Sequence, residues 1–128
     1  MTVPIWVDKD IVLAIHDEQI AEHGGAVGVR DIGLLESALQ RPVHLFNYQS
    51  PDLIELAAAY GFGIARNQPF VDGNKRTSAV VTELFLHLNG FQLTASDAEF
   101  VTTWLALADK SMDESEFIAW LRANTAPA

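Results

Sequence analysis

Ten consecutive residues, Asn67-Gln68-Pro69-Phe70-Val71-Asp72-Gly73-Asn74-Lys75-Arg76, bring together a turn, a carboxylate and two adjacent cations. Asp72, beside a glycine, is suited to hold a hard cation such as Mg²⁺ through one or two oxygens. Gly73 and Asn74 tolerate positive φ, so the backbone can turn there and direct N–H groups outward. A helix starting at this point adds the positive end of its dipole. Lys75 and Arg76 supply donors for phosphate oxygens, Arg as a two-pronged fork. Phe70 can anchor the loop in the core. The chemistry these parts favour is the grip of an anionic, metal-bound ligand such as a nucleotide. No Gly-x-x-x-x-Gly-Lys-Ser/Thr loop is present. An Asp-Gly turn before charged residues is also a common solvated helix start, so the flanks decide the motif's weight.

Those flanks read as helices. Asp8 can cap a helix running to about His23, closed by Gly24-Gly25. Asp31 can cap a second one through Leu34, Leu35, Ala38 and Leu39, stopped by Pro42. Residues 42–50 show no helical period and are expected to form an exposed loop or short hairpin. Ser50-Pro51 opens a third helix, with proline at its first position. Gly61 and Gly63 inside it each cost about 1 kcal/mol relative to Ala and call for a close backbone neighbour. The fourth helix is expected from Gly73 to Leu88, with an apolar stripe over Val80, Val81, Leu84, Phe85 and Leu88. Phe91-Gln92-Leu93 reads as extended. Capping boxes at Ser96–Glu99 and Ser111–Glu114 start two more helices, the last ending near Asn124. The tail Thr125-Ala126-Pro127-Ala128 is expected to fray. The fold class is therefore all-α, a bundle of about six helices in a single domain over residues 1–128.

Composition narrows the partners. Eight Lys and Arg stand against 17 Asp and Glu, a formal charge of −9. Such a surface does not neutralise a nucleic-acid backbone, although it leaves room for one local basic site. There are no cysteines, so disulfides and thiolate metal sites are excluded. No apolar run is long enough for a bilayer and no signal-peptide pattern opens the chain, so a soluble, cytoplasmic protein without membrane partners is expected.

The segment Asn67–Arg76 resembles the core motif of the Fic/Doc family, in particular its death-on-curing branch, whose pattern runs His-x-Phe-x-Asp-(Ala or Gly)-Asn-Lys-Arg. Phe70, Asp72, Gly73, Asn74, Lys75 and Arg76 fall at the required spacing. Leu13-Ala14-Ile15-His16-Asp17, Gly24-Gly25, Leu34–Leu39 and Phe85–Gly90 agree with it as well. The resemblance implies a small all-α phosphate-transfer enzyme using ATP and Mg²⁺. Asp72 would hold the metal, and Gly73, Asn74, Lys75 and Arg76 would bind phosphates. Lys75 and Ala79 replace a Gly and a second Arg of the AMP-transferring relatives. The chain therefore sides with the branch described as a toxin of a toxin–antitoxin system, a protein kinase that modifies elongation factor Tu and stops translation. By the same resemblance, a cognate antitoxin would bind in trans, since no inhibitory Ser/Thr-x-x-x-Glu spacing occurs in the chain. Residues 42–50 would face the docking target.

One position departs from the pattern: Gln68 stands where the family has its proton-accepting His. A carboxamide hydrogen-bonds but takes no proton. Loss of a general base typically costs about 10²–10⁴ in rate, so transfer by this form should be absent or strongly impaired. Gln68 marks either a divergent homologue or an inactivating replacement one base away from His, and the otherwise intact motif favours replacement. Two other functions stay open at this point, AMP transfer and a non-catalytic module that binds antitoxin or nucleotide. Of the remaining histidines, His16 is expected to make a structural hydrogen bond. His23, His44 and His87 show no metal-binding spacing. Trp6, Trp104 and Trp120 lie on apolar patterns and are expected in the core.

Overall fold

The computed structural model describes residues 2–128. Six helices follow in order: α1 (Lys9–His23), α2 (Ile32–Tyr48), α3 (Leu53–Asn67), α4 (Asn74–Leu88), α5 (Asp97–Ala108) and α6 (Glu114–Ala123). Two short strands, β1 (Phe91–Leu93) and β2 (Thr125–Pro127), complete the chain. The all-α bundle expected from periodicity is the observed one.

Local chemistry starts five of the helices. Asp8, Asp31, Asp52, Ser96 and Asp113 each accept a hydrogen bond from the third amide of the helix that follows. Such caps contribute about 1 kcal/mol each. At Asp52 and Asp113 the residue's own N–H donates in return to the Glu55 and Glu116 carboxylates, which closes a capping box. These boxes move two expected starts. Helix α3 begins after Asp52 rather than at Pro51, and α6 begins after Asp113 rather than at Ser111. A carboxylate with Glu three residues on satisfies two orphan amides at once. Ser111 instead sits in the preceding turn, its N–H on the Asp109 carboxylate. Ser96 does cap α5, but its hydroxyl, not its backbone, meets the Glu99 carboxylate.

Helix α3 is the axis of the molecule. Leu56, Ala57, Ala58, Ala59, Tyr60 and Ile64 are all essentially inaccessible to solvent. Its other helical neighbours are α2, α4, α5 and α6. The small residues let those neighbours approach. A Cβ on Gly63 would stand 3.3–3.4 Å from the Cβ, Cα and carbonyl oxygen of Ala38 on α2. That contact explains the largest correction to the sequence reading: α2 does not stop at Pro42 but runs on to Tyr48, so residues 42–48 are helical. Proline in a helix interior costs about 3 kcal/mol, through a lost N–H and a clash with the carbonyl four residues back. Here that carbonyl is Ala38's, held against Gly63. Burial of Leu35, Ala38, Leu39 and Pro42 along α2 offsets the loss.

The tail also departs from expectation. Residues 125–127 pair antiparallel with residues 91–93, Phe91 opposite Pro127 and Leu93 opposite Thr125. Phe91 and Leu93 pack on the core, which gives the pair an apolar backing. Trp104 is buried and donates to Ser78 Oγ at 2.8 Å, and Ser78 in turn donates to the Gly61 carbonyl at 2.6 Å. Trp6 and Trp120 are half-buried and pack on the core's edge.

Gly61 gives a direct test of this packing. An added Cβ would fall 2.4 Å from Thr82 Oγ1 and 3.1 Å from the Phe117 ring. Thr82 is branched at Cβ and its hydroxyl is committed to the Ser78 carbonyl, so it cannot yield cheaply. Gly61→Ala should therefore lower stability by about 1–3 kcal/mol, although helix propensity alone would raise it by about 1 kcal/mol. Urea unfolding measures the difference, and a stabilised variant would show that α3 and α4 lie farther apart.

Candidate active site

The loop between α3 and α4 is fixed residue by residue. Gln68 closes α3 in the left-handed conformation, φ 47° and ψ 58°, and its N–H bonds the Ile64 carbonyl at 3.1 Å. The Pro69 carbonyl accepts from the N–H groups of Arg30 and Asp31 at 2.7 and 3.0 Å. Val29 and Phe70 form a single antiparallel bridge, and Val71 N–H reaches the Gly28 carbonyl at 3.1 Å. The Asn74 side chain clips both backbone groups of Phe70, accepting from its N–H at 2.9 Å and donating to its carbonyl at 3.0 Å. The buried Phe70 ring stacks on His16 of α1, centroids 3.8 Å apart and planes within 6°.

His16 also sets the next residue. Its ring is 2 % exposed, and Nε2 lies 2.8 Å from the Asp72 carbonyl. A carbonyl only accepts, so that nitrogen carries the proton. The structural hydrogen bond expected of His16 is thus present. It holds the main chain at Asp72 while the carboxylate turns outward.

The Asp72 carboxylate accepts from Gly73 N–H at 2.9 Å and from Ala26 N–H at 3.3 Å. These two bonds, with Arg76 and Lys75 close by, hold its carboxyl below the ordinary value of 3.8. Each oxygen keeps a further lone pair, so the ionised group can still reach a cation. Gly25 lets the α1–α2 loop come this close, because a Cβ there would sit 2.7 Å from Asp72 Oδ2. Gly73 then adopts φ 76° and leads into α4 without a side-chain cap. It is the exception among the six helices. The first intrahelical acceptor, the Gly73 carbonyl, serves Thr77. The N–H groups of Asn74, Lys75 and Arg76 therefore have no protein acceptor among the described residues.

Lys75 and Arg76 stand at this end of α4, and neither joins an ion pair among the described residues. Arg76 donates one terminal nitrogen to the Gly24 carbonyl at 3.1 Å, while its buried Nε has no partner among the described residues. Gln68, Asp72, Gly73, Asn74, Lys75 and Arg76 together line one open cleft of about 480 Å³. The structure thus places six of the seven motif residues singled out from sequence around one cavity. Phe70, the seventh, lies beneath it. Because the Asn74 side chain is occupied by Phe70, what Asn74 offers a ligand is its N–H.

Residues 6–86 match the sequence profile of the Fic/DOC family. The chain belongs to that family. It is 46 % identical over 74 residues to a protein named Toxin Doc from Mycolicibacterium smegmatis, a match covering 56 % of this chain and 57 % of that one. It is 35 % identical over 88 residues to a protein named Protein kinase doc from Escherichia phage P1, covering 68 % of this chain and 70 % of that one. The matched part thus spans little more than half the length of the first relative. The Fic/DOC match runs from Trp6, ahead of α1, to Leu86, near the end of α4. It takes in every cleft residue named above.

Sequence reasoning missed two parts of this candidate site, the Ala26 N–H on Asp72 and the side chain of Arg30. Arg30 donates Nε and a terminal nitrogen to the Gln68 carbonyl at 3.0 and 2.7 Å, and that same terminal nitrogen to the Asn67 carbonyl at 3.0 Å. Both parts act through main-chain atoms, which leave no residue-type signal. The only hint was the Gly-rich stretch 24–28 running into the Asp31 cap. No helix among the described residues is long and apolar enough to cross a membrane.

Acid titration should register the Asp72 arrangement. Asp72 and Asp109 are both held low by hydrogen bonds, Asp72 by the Gly73 amide first and Asp109 by the Ser111 hydroxyl first. At Asp52 burial pushes upward, but its bonds to Arg122 and to Glu55 outweigh it. All three fold with a carboxyl below its unfolded value of 3.8. Their contribution to stability is therefore complete above that value and is lost as pH falls through the lower folded ones. The melting temperature should stay nearly level from about pH 7 to 5 and drop below about pH 4. A maximum in the acid range would contradict these assignments.

Proposed function

We propose that this chain is the toxin of a toxin–antitoxin module, a phosphotransferase that uses ATP to modify elongation factor Tu and block translation. In the form described here Gln68 leaves it strongly impaired. The observation that carries the reading is the uncapped start of α4, which faces the same cleft as the Asp72 carboxylate, Lys75, Arg76 and Gln68. The names of the two relatives agree with it, one a toxin and the other a protein kinase.

The residues fit a polyphosphate. Three N–H groups, the α4 dipole, Lys75 and the unpartnered Arg76 Nε offer donors to anionic oxygens. They also fit Mg²⁺. No group of three or more acidic or His ligands exists among the described residues, and Mg²⁺ is ordinarily held by one or two carboxylates plus phosphate oxygens and water. Asp72 is that carboxylate. When bound, the metal would neutralise charge on the phosphates. Lys75 and Arg76 orient the transferred group, and residue 68 meets the incoming hydroxyl. Gln68 can align that hydroxyl by a hydrogen bond, whereas removing its proton needs a base.

An antitoxin in trans has a candidate seat. Next to the cleft lies an apolar groove of about 180 Å³ formed by Ala79, Phe100, Val101, Trp104 and Leu105, with Lys75 and Arg76 at its mouth. Val101 and Leu105 are 61 % and 50 % exposed, one turn apart on α5, a spacing that suits the apolar stripe of a partner helix.

Titration with a fluorescent ATP analogue tests the reading without catalysis. Binding should depend on Mg²⁺ and weaken about tenfold in Asp72→Asn, a loss of about 1.4 kcal/mol. Binding indifferent to both Mg²⁺ and the substitution would remove Asp72 from the metal role.

A further inference from the structure

We propose that Arg30 is a positioning residue, one that fixes the orientation of side chain 68 toward the cleft by holding the last turn of α3 from outside. The proposal rests on the phosphotransferase reading and assigns a role to a residue outside the Asn67–Arg76 motif.

The geometry concentrates on one residue. Arg30 holds three consecutive carbonyls: Asn67 and Gln68 through its guanidinium, and Pro69 through its own N–H. These are the carbonyls at which α3 ends, where the helix dipole is negative and a cation is favoured. Gln68 occupies the left-handed region, which residues with a Cβ adopt reluctantly. A conformation of that kind persists only where its surroundings over-determine it. The forked guanidinium bridges two of the three carbonyls at once, and a lysine ammonium at the end of a flexible stem does not reproduce that fork. The left-handed turn in turn faces side chain 68 to the cavity that Asp72, Lys75 and Arg76 line. Arg30 is not among that cavity's lining residues, so it acts through residue 68 and not on a ligand.

The test uses the full chain with Arg30→Ala and Arg30→Lys, each in the Gln68 form and in Gln68→His. Amide hydrogen exchange comes first, because it needs no catalysis. Arg30→Ala should speed exchange at residues 68 and 71 by about tenfold or more while mid-α3 amides such as that of Ile64 keep their protection. Affinity for the Mg²⁺–ATP analogue should change less than about twofold, since Asp72 and α4 are held by other contacts. In Gln68→His, single-turnover transfer should fall by about 10²-fold with the KM for ATP unchanged. Lysine should restore little of it. Unchanged exchange at residues 68 and 71 overturns the proposal, as does full rescue by lysine or an equal fall in affinity and rate. If Gln68→His itself transfers nothing, the phosphotransferase reading fails. The exchange and affinity measurements then still decide whether Arg30 fixes the turn.

Discussion

Gln68→His should raise phosphate transfer from γ-labelled ATP to elongation factor Tu by about 10²–10⁴-fold over the unsubstituted chain. The donors proposed to position a phosphate all stand at the cleft: the amides at the uncapped start of α4, Lys75 and the Nε of Arg76, with the Asp72 carboxylate beside them. What the cleft lacks is a group that can take a proton near neutral pH, because a carboxamide hydrogen-bonds without titrating. An imidazole at position 68 supplies that group, and the left-handed turn that faces Gln68 to the cleft would face the imidazole there too. The rate should rise with pH through a value near that of an ordinary His, about 6.5, as a base loses its proton. Phosphoryl transfer leans heavily on positioning and metal charge, so a trace of activity in the Gln68 form is compatible with the scheme. Equal rates in both forms would take the base away from residue 68. Transfer of label from the α-phosphate instead would convert the reading into AMP transfer. Silence of both forms, with intact Mg²⁺–ATP binding, would leave a binding module.

How far these features could be read in advance depends on where the information sits. Asp8 and Asp31 announced two helices because a cap is local: the side chain bonds an amide three residues away. The Asp72–Arg76 cluster was legible for the same reason, since its parts adjoin in sequence. Pro42 misled because its cost is local while its compensation is not. The compensating contact, Ala38 against Gly63, joins two helices far apart in the chain. The frayed-tail expectation failed similarly, since β2 exists only through pairing with β1. At the site, Arg30 and Ala26 act through main-chain atoms or upon them, so no residue type at positions 67–72 pointed to them. His16 stood between these cases. A structural hydrogen bond is the expectation for it, because polar side chains ordinarily find partners, but its partners, Phe70 and the Asp72 carbonyl, lie 54 and 56 residues further on.

That placement gives His16 the largest expected effect on stability. His16→Ala should lower the free energy of unfolding by about 3 kcal/mol, combining a cavity in a closed site with a lost hydrogen bond. The ring is almost wholly buried, so water cannot readily take over its place against Phe70. The Asp72 carbonyl would lose the donor at 2.8 Å. Chemical denaturation should show the midpoint falling at constant slope, the sign of lost stability without a changed unfolding reaction. His16→Phe divides the effect. It keeps a ring against Phe70 but donates nothing, so its cost should shrink to about 1–2 kcal/mol. Nucleotide affinity divides the roles further. If His16 serves only packing, His16→Phe binds the Mg²⁺–ATP analogue as the parent does. If the bond to Asp72 also aims its carboxylate, the Mg²⁺-dependent part of the affinity falls while the metal-independent part stays. The second outcome is expected, because His16 grips the main chain of the residue proposed above to hold the cation. A change below about 0.5 kcal/mol in His16→Ala, the range of ordinary surface substitutions, would mean that Asn74 and the Gly28–Val71 contact hold the loop without it.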